Sequence, residues 1–302
     1  MRILLTGATG QVGGVLLPRL RRHDVFAADR ATLDLARPER IADVLDRLAP
    51  DLIINPAAYT AVDKAEDERD LAMRVNVGAP EALARWASAR NVPLVHFSTD
   101  YVFDGSHDRP WREDDATGPL SVYGASKLAG EEAIRMTGGT FLIVRTSWVY
   151  VAKGTNKSAN FLRTIARLAR ERKELRIVVD QIGAPTPAAV IADAITSMVA
   201  GGLDAFRADC ARANGLVHLA TSGETSWHGF ATAIVDGLKA RGVKLAAEQV
   251  NPIKSEEYPT RATRPRNSRL DLSRLQQVFG IKPPSWREAL APELDQLADE
   301  LR

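Results

Sequence analysis

The run "LVHFSTDYVFDG" begins as a core strand and ends as something else. Ser98, Thr99, Asp100 and Tyr101 put four hydrogen-bonding side chains where a core strand would continue apolar. Such an end is poor core and a good holder of a polar substrate. "YGASK" follows, with Tyr123 and Lys127 four residues apart, so that on a helix the two share one face. A free phenol titrates near ~10, too high for acid–base work at neutral pH. A neighbouring ammonium stabilises the phenolate, so Lys127 is expected to bring Tyr123 down. The chemistry this suits is proton delivery to a carbonyl oxygen, with the Thr99 hydroxyl holding the same oxygen. A lone Tyr-x-x-x-Lys is common by chance, and its meaning depends on what surrounds it.

The context lies at the start of the chain. "TGATGQVG", Thr6 to Gly13, carries Gly7, Gly10 and Gly13 between an apolar run and a helical pattern. Glycines there permit a tight turn and let backbone N–H groups approach a pyrophosphate at a helix N-terminus. The spacing is G-x-x-G-x-x-G rather than the tighter fingerprint, but its position between a first strand and a first helix is the one dinucleotide binding requires. With such a cofactor bound, Lys127 can bond the nicotinamide ribose and Tyr123 can protonate a ketone as hydride arrives. The next strand ends at Ala28-Asp29-Arg30. Asp29 suits the free ribose hydroxyls of NADH and Arg30 the 2′-phosphate of NADPH, so a mixed preference is expected. Asp34, in "LDL", is either near the adenine or an ordinary helix-start acid.

These groups need a scaffold. Candidate strands are Arg2–Thr6, Val25–Ala28, Leu52–Asn55, Leu94–Ser98 and Phe141–Thr146, with helical patterns such as "ERIADVLDRLA" and "PEALARWASAR" between them. Pro38 and Pro80 sit where a first helical turn tolerates proline. This alternation predicts an α/β fold, a Rossmann-type doubly wound parallel sheet, over residues 1–150. Residues 151–302 are expected to form mainly a smaller α/β substrate-binding lobe, interleaved with returns to the first domain. Strands become fewer there (Arg176–Asp180, Leu216–Ala220), and "NPIKSEEYPTRATRPRNSRLDL" reads as an extended or looped segment before a helical C-terminus.

The 302 residues suffice for a substantial core. A net charge of +2 demands neither nucleic acid nor an anionic membrane. The single cysteine, Cys210, excludes an intrachain disulfide, and five dispersed histidines show no metal-ligand spacing. The N-terminal apolar run is too short for a signal peptide, and no stretch is long enough to span a bilayer. The expectation is a cytoplasmic protein, monomer or homodimer, without metal.

Together, Gly7, Gly10, Gly13, Thr99, Tyr123 and Lys127 resemble the extended short-chain dehydrogenase/reductases. Within them the chain is similar, nearly end to end, to the dTDP-4-dehydrorhamnose reductase family, through "TGATGQVG", "INPAAYTAVDKAE", "VNVGAP", "FSTDYVFDG", "YGASKLAGE", "RTSWVY", "DQIGAPT", "SWHGFA" and "YPTRATRPRNSRLD". The resemblance implies reduction of a 4-keto nucleotide sugar by NADPH or NADH, the last step to dTDP-L-rhamnose. It implies cofactor contacts from Gln11 and Val12 at the turn, from Asp34 and Leu35, and from Ala58, Tyr59 and Thr60. It implies substrate contacts from Thr99, Asp100, Tyr123 and Trp148. Arg261, Arg264 and Asn267 lie in a donor-rich segment suited to a diphosphate or nucleotide.

Two departures stand out. The segment after Trp148, "VYVAKGTNKSANF", looks expanded beside the sugar site. Gly14, Val15 and Leu16 supply no carboxylate where magnesium-bridged family members use one, so neither metal nor that dimer is carried over. Related dehydratases resemble Thr-Asp-Glu at the strand end; Tyr101 in place of the Glu argues against elimination. A 4-epimerase or another nucleotide-sugar reductase of the superfamily stays open, as does a non-catalytic dinucleotide-binding regulatory subunit, against which the complete Thr99, Tyr123 and Lys127 set argues.

Overall fold

The computed structural model describes residues 1–153 and 160–302. The first lobe begins with β1 (Arg2–Leu5), α1 (Gln11–Arg19), β2 (Asp24–Ala27), α2 (Ile41–Leu48) and β3 (Leu52–Asn55). It continues through short helices α3 (Val62–Ala65) and α4 (Arg69–Met73) to α5 (Ala79–Ala89), β4 (Leu94–Thr99), α6 (Val122–Met136) and β5 (Phe141–Thr146). Next come β6 (Val149–Tyr150), α7 (Phe161–Glu171), β7 (Glu174–Val178), β8 (Ile182–Gly183), β9 (Thr186–Pro187), α8 (Ala188–Ala200) and α9 (Leu203–Arg212). The chain ends with β10 (Leu216–His218), β11 (Thr225–Ser226), α10 (Trp227–Ala240), β12 (Gln249–Ile253), α11 (Ser273–Phe279) and α12 (Trp286–Leu301).

Six strands form a parallel sheet in the order β2-β1-β3-β4-β5-β10. Its central strands are apolar on both sides because both faces are covered: α1, α8 and α9 pack on one face, α2 and α5 on the other. The sheet order turns back between β1 and β3, and in such sheets ligands bind beyond the carboxyl ends of the strands at that point. Both the glycine turn after β1 and "AAYT" after β3 open there. Strand β10 and helices α8, α9 and α11, from the second half of the chain, pack on this first lobe.

A separate core joins α7, α10 and α12. Helix α7 shows why it forms: Leu162, Ile165, Ala166 and Ala169 repeat at helical spacing and are buried, and Asn160 caps its start by accepting from Arg163 N at 3.1 Å. The predicted long strands of the first lobe match the observed ones to within a residue or two. "NPIKSEEYPTRATRPRNSRLDL" is only partly a loop: its first residues belong to β12, which pairs in parallel with β7. Period-two patterning is too weak in "QVNPI" to reveal a strand by itself. In the expanded segment after Trp148, residues 154–159 lie outside the described residues.

Helix α6 is fastened to the sheet by a buried ion pair. Arg145 of β5 donates to both carboxylate oxygens of Glu131, at 2.9 and 2.7 Å, and both side chains are almost wholly out of water. Removing one partner of such a pair strands the other. Glu131→Ala is therefore expected to destabilise the protein by about 3–5 kcal/mol, read from the urea midpoint. A Glu131→Leu/Arg145→Met double variant should recover much of that loss.

Candidate active site

At the first turn, Gly7 has φ +58°, a left-handed conformation, and a Cβ there would lie 3.0 Å from the Ala57 backbone. A Cβ on Gly13 would sit 2.2 Å from the Gly7 carbonyl oxygen. Gly10 N donates to that same carbonyl at 2.8 Å. Helix α1 then starts with no side-chain cap and no acid in its first turn. Its N-terminal N–H groups and positive dipole end are left facing outward, which is what a pyrophosphate needs. Gln11 Oε1, on the same turn, is buried without a partner among the described residues.

The adenosine-side residues are arranged otherwise. The Asp29 carboxylate accepts from Thr32 N (2.9 Å) and Thr32 Oγ (2.7 Å), and these bonds hold it below its usual range. Arg30 is exposed. Asp34 accepts from Ala36 N at 3.0 Å, and Leu35 is buried in the core between sheet and helices. Ala58 is half-buried and Thr60 exposed. The Tyr59 hydroxyl donates to Glu68 at 2.6 Å, and this bond pushes its pKa up to about 12.

Tyr59 is held by a residue for which the sequence suggested no role. A π-helical turn, Arg74–Gly78, joins α4 to α5 and points Asn76 inward. Such turns interrupt helices where a side chain must be re-aimed. Asn76 Oδ1 accepts from Tyr59 N (2.8 Å), and its Nδ2 donates to Tyr59 O (3.1 Å) and Ser126 Oγ (2.9 Å). Ser126 Oγ donates in turn to Tyr123 O at 2.8 Å. "VNVGAP" was a visible motif; that its Asn ties the "AAYT" loop to α6 was not.

Ser121 caps α6, accepting from Gly124 N at 3.2 Å. Tyr123 and Lys127 lie on the same side of that helix, Tyr123 half-buried and Lys127 buried. Tyr123 hydrogen-bonds to Thr99. Thr99 Oγ also donates to Asp100 Oδ1 at 3.0 Å and accepts from Tyr101 N at 3.2 Å. Burial raises Asp100 to about 6, with Ser268 and Thr99 opposing that by hydrogen bonding to its carboxylate. The expected lowering of Tyr123 is not what the structure shows. Burial raises the phenol to about 12, the bond to Thr99 opposes that, and Asp100 adds to it. The Lys127 amine faces His96 at 3.2 Å instead, and burial lowers Lys127 to about 8.

Trp148 adopts φ +49° and stacks on Trp227, ring centroids 3.6 Å apart. The donor-rich segment crosses back to the first lobe. Arg264 bonds both Asp63 oxygens (3.1 and 2.6 Å), and Arg261 pairs with Asp67. Asn267 is fully engaged by protein: it donates to His107 O (2.8 Å) and Arg109 O (2.7 Å) and accepts from Arg269. The structure thus brings together the glycine turn, Tyr59, Thr99, Asp100, Tyr123 and Lys127, and ties up Asp29, Leu35 and Asn267 elsewhere. Burial raises the thiol of Cys210 to about 12, which leaves it unreactive.

A glycine turn at the sheet's switch point and a Thr–Tyr–Lys set at the neighbouring strand end are the features of the extended short-chain dehydrogenase/reductases. More narrowly, the family model described as "RmlD substrate binding domain" matches residues 1–299, and the chain belongs to that family. It is 45% identical over 293 residues to the dTDP-4-dehydrorhamnose reductase of Burkholderia thailandensis, covering 96% of this chain and 97% of that one. To the Escherichia coli K12 enzyme of the same name it is 42% identical over 303 residues, 98% of each. A Bacillus anthracis dTDP-4-dehydrorhamnose reductase, solved in complex with NADP, superposes with a TM-score of 0.86 at 33% identity, covering 98% of this chain and 99% of that one.

Gly13→Ala places a methyl group against the Gly7 carbonyl. It is expected to weaken NADPH binding by roughly tenfold or more by opening the turn, measured by titration calorimetry.

Proposed function

We propose that this chain catalyses the NAD(P)H-dependent reduction of the C4 ketone of dTDP-4-dehydro-L-rhamnose to dTDP-L-rhamnose, the last step of dTDP-rhamnose biosynthesis. The observation that carries it is the bonded Thr99–Tyr123 pair with Lys127 one turn further along α6, on a chain similar over nearly its whole length to reductases of that name.

Gly7, Gly10, Gln11, Val12 and Gly13 would hold the pyrophosphate, and Ala58, Tyr59 and Thr60 would line the dinucleotide beside them. The turn fits, because side chains at Gly7 or Gly13 would fill the cradle. Asp29 and Arg30 lie on the adenosine side, so both NADPH and NADH are accepted. Bound there, the cofactor supplies a hydride. Lys127 orients the nicotinamide ribose. Thr99 and Tyr123 present their hydroxyls to one oxygen, that of the ketone. Tyr123 is a neutral phenol at working pH, as a donor must be. As the ketone oxygen becomes an alkoxide, a stronger base than a phenolate, the phenolic proton passes to it. The Lys127 ammonium then stabilises the phenolate left behind.

Asp100 and Trp148 line the sugar side, and Arg261 and Arg264 supply charge toward the diphosphate. Residues 1–150 serve mainly the cofactor and 151–302 mainly the substrate, with β10 and α8 returning to the first. Among the described residues no single helix is long and apolar enough to cross a membrane. A cytoplasmic monomer or homodimer acting on a nucleotide sugar fits this.

The deciding assay supplies dTDP-4-keto-6-deoxy-L-mannose, generated in situ, with NADH and NADPH in turn. Cofactor oxidation with formation of dTDP-L-rhamnose is expected; cofactor binding without oxidation would move the reading to another keto sugar or to a regulatory role. Tyr123→Phe should keep NADPH affinity and lose turnover by roughly 10²–10⁴-fold. The ammonium of Lys127 persists below its pKa of about 8 and is lost above it. The kcat/KM for reduction should therefore be level at lower pH and fall by roughly tenfold per pH unit once pH passes that value.

A further inference from the structure

Lys127 is buried at 2% exposure, and its Nζ lies 3.2 Å from His96 Nε2. His96, on β4, is itself fully buried at 0%. Its other nitrogen, Nδ1, lies 3.0 Å from Asn55 Nδ2, and Thr6 Oγ donates to Asn55 Oδ1 at 2.5 Å. Ala57 N donates to Thr6 Oγ at 3.3 Å. A continuous buried chain thus runs from the loop beside the glycine turn, through the ends of β1 and β3, to the amine on α6. Nothing in the chemistry described so far uses it.

We propose that His96, oriented by Asn55 and Thr6, is a positioning residue for Lys127: its neutral imidazole accepts a hydrogen bond from one Nζ–H, so that Lys127 is held as an ammonium with its other N–H groups free for Tyr123 and the cofactor ribose. The inference rests on the reductase reading above.

The chemistry of the chain supports this. Burial and the adjacent Lys127 charge keep His96 well below its ordinary range, so the ring is uncharged and one nitrogen is a lone-pair acceptor. Asn55 has a donor at one end of its amide and an acceptor at the other. With Nδ2 facing the ring, Nδ1 is the acceptor and the ring proton sits on Nε2. Half a turn of the amide brings Oδ1 to the same distance, moves the ring proton to Nδ1 and frees Nε2 to accept from Lys127, Thr6 Oγ then accepting from Asn55 Nδ2; this is the orientation the proposal requires. An ammonium donating to Nε2 makes a charge-assisted bond, roughly twice as strong as the neutral bond of an amine accepting from it. The imidazole therefore favours the ammonium against the burial that lowers Lys127. The other charged groups around Nζ act through longer distances. Glu131, one turn along α6, favours the ammonium but is spent on Arg145 of β5. Tyr123 and Asp100 lie on the substrate side.

The test compares the full-length wild type with His96→Leu, which removes the acceptor, and His96→Gln, which restores one at similar reach. In His96→Leu the basic limb of kcat/KM should move down by about one pH unit, with kcat on that limb falling about tenfold; His96→Gln should recover most of both. A folded His96→Leu with the wild-type limb overturns the proposal. Equal losses in both variants with an unmoved limb also overturn it, since that is packing alone. An inactive wild type would instead count against the reductase reading. The last arm needs neither variants nor turnover. In the NADP⁺-bound wild type labelled with ¹⁵N-histidine, an imidazole in contact with the Lys127 side chain should stay neutral with its proton on Nδ1. A cationic ring, or a proton on Nε2, overturns the assignment.

Discussion

The structure around α6 depends on keeping one amine out of water. Burying an ammonium is among the least favourable things a fold can do, and unpaired groups respond by giving up the proton. Lys127 has moved part of the way, to about 8. What opposes further lowering is the carboxylate of Glu131 one helical turn away, while an uncharged imidazole lies at 3.2 Å. That carboxylate is in turn neutralised by Arg145, whose guanidinium lies over the Phe103 ring. Each partner removes a penalty the previous one would have suffered. The result is a rigid seam between β4, β5 and α6, directly beneath the strand end that carries Thr99.

A second set of contacts ties the C-terminal segment to the cofactor side of the sheet. Helix α3 follows "AAYT" within the first lobe, and its Asp63 receives Arg264 from the C-terminal segment. Arg264 is mostly shielded from solvent, whereas Arg261 and Asp67 are exposed and their pair is weak. The same arginines that suit a diphosphate are thus already balanced by carboxylates next to the cofactor loop.

The sequence revealed what is local and left hidden what is long-range. The sheet was readable because β1, β3, β4 and β5 are continuous apolar runs, the signature of parallel strands covered on both faces. The glycine turn and the Tyr–Lys pair were readable because their meaning lies in fixed short spacings. Strand β12 was missed because "QVNPI" has a proline and no clear alternation, and only its partner β7 makes it a strand. Asn76, His96 and Arg145 were silent for a related reason. Each acts through a residue at least 14 positions away, and no spacing rule connects them. Asn267 misled in the opposite sense: an Asn in a run of arginines looks like a ligand group, yet its amide closes the loop at His107 to Arg109.

The most consequential misreading was of the phenol. Adjacency of Tyr123 and Lys127 suggests an acid made stronger by a cation, but adjacency along a helix does not decide where the cation points. Here Nζ turns toward His96 within β4 and the hydroxyl toward Thr99 at the strand's end, and burial dominates both titrations, in opposite directions. A phenol that keeps its proton, beside a buried amine that is an ammonium below about 8, suits an enzyme running toward reduction. The phenol is loaded before substrate arrives, and the ammonium stands ready for the phenolate once the proton has left. An enzyme built to oxidise alcohols would need the reverse, a phenolate ready before substrate arrives.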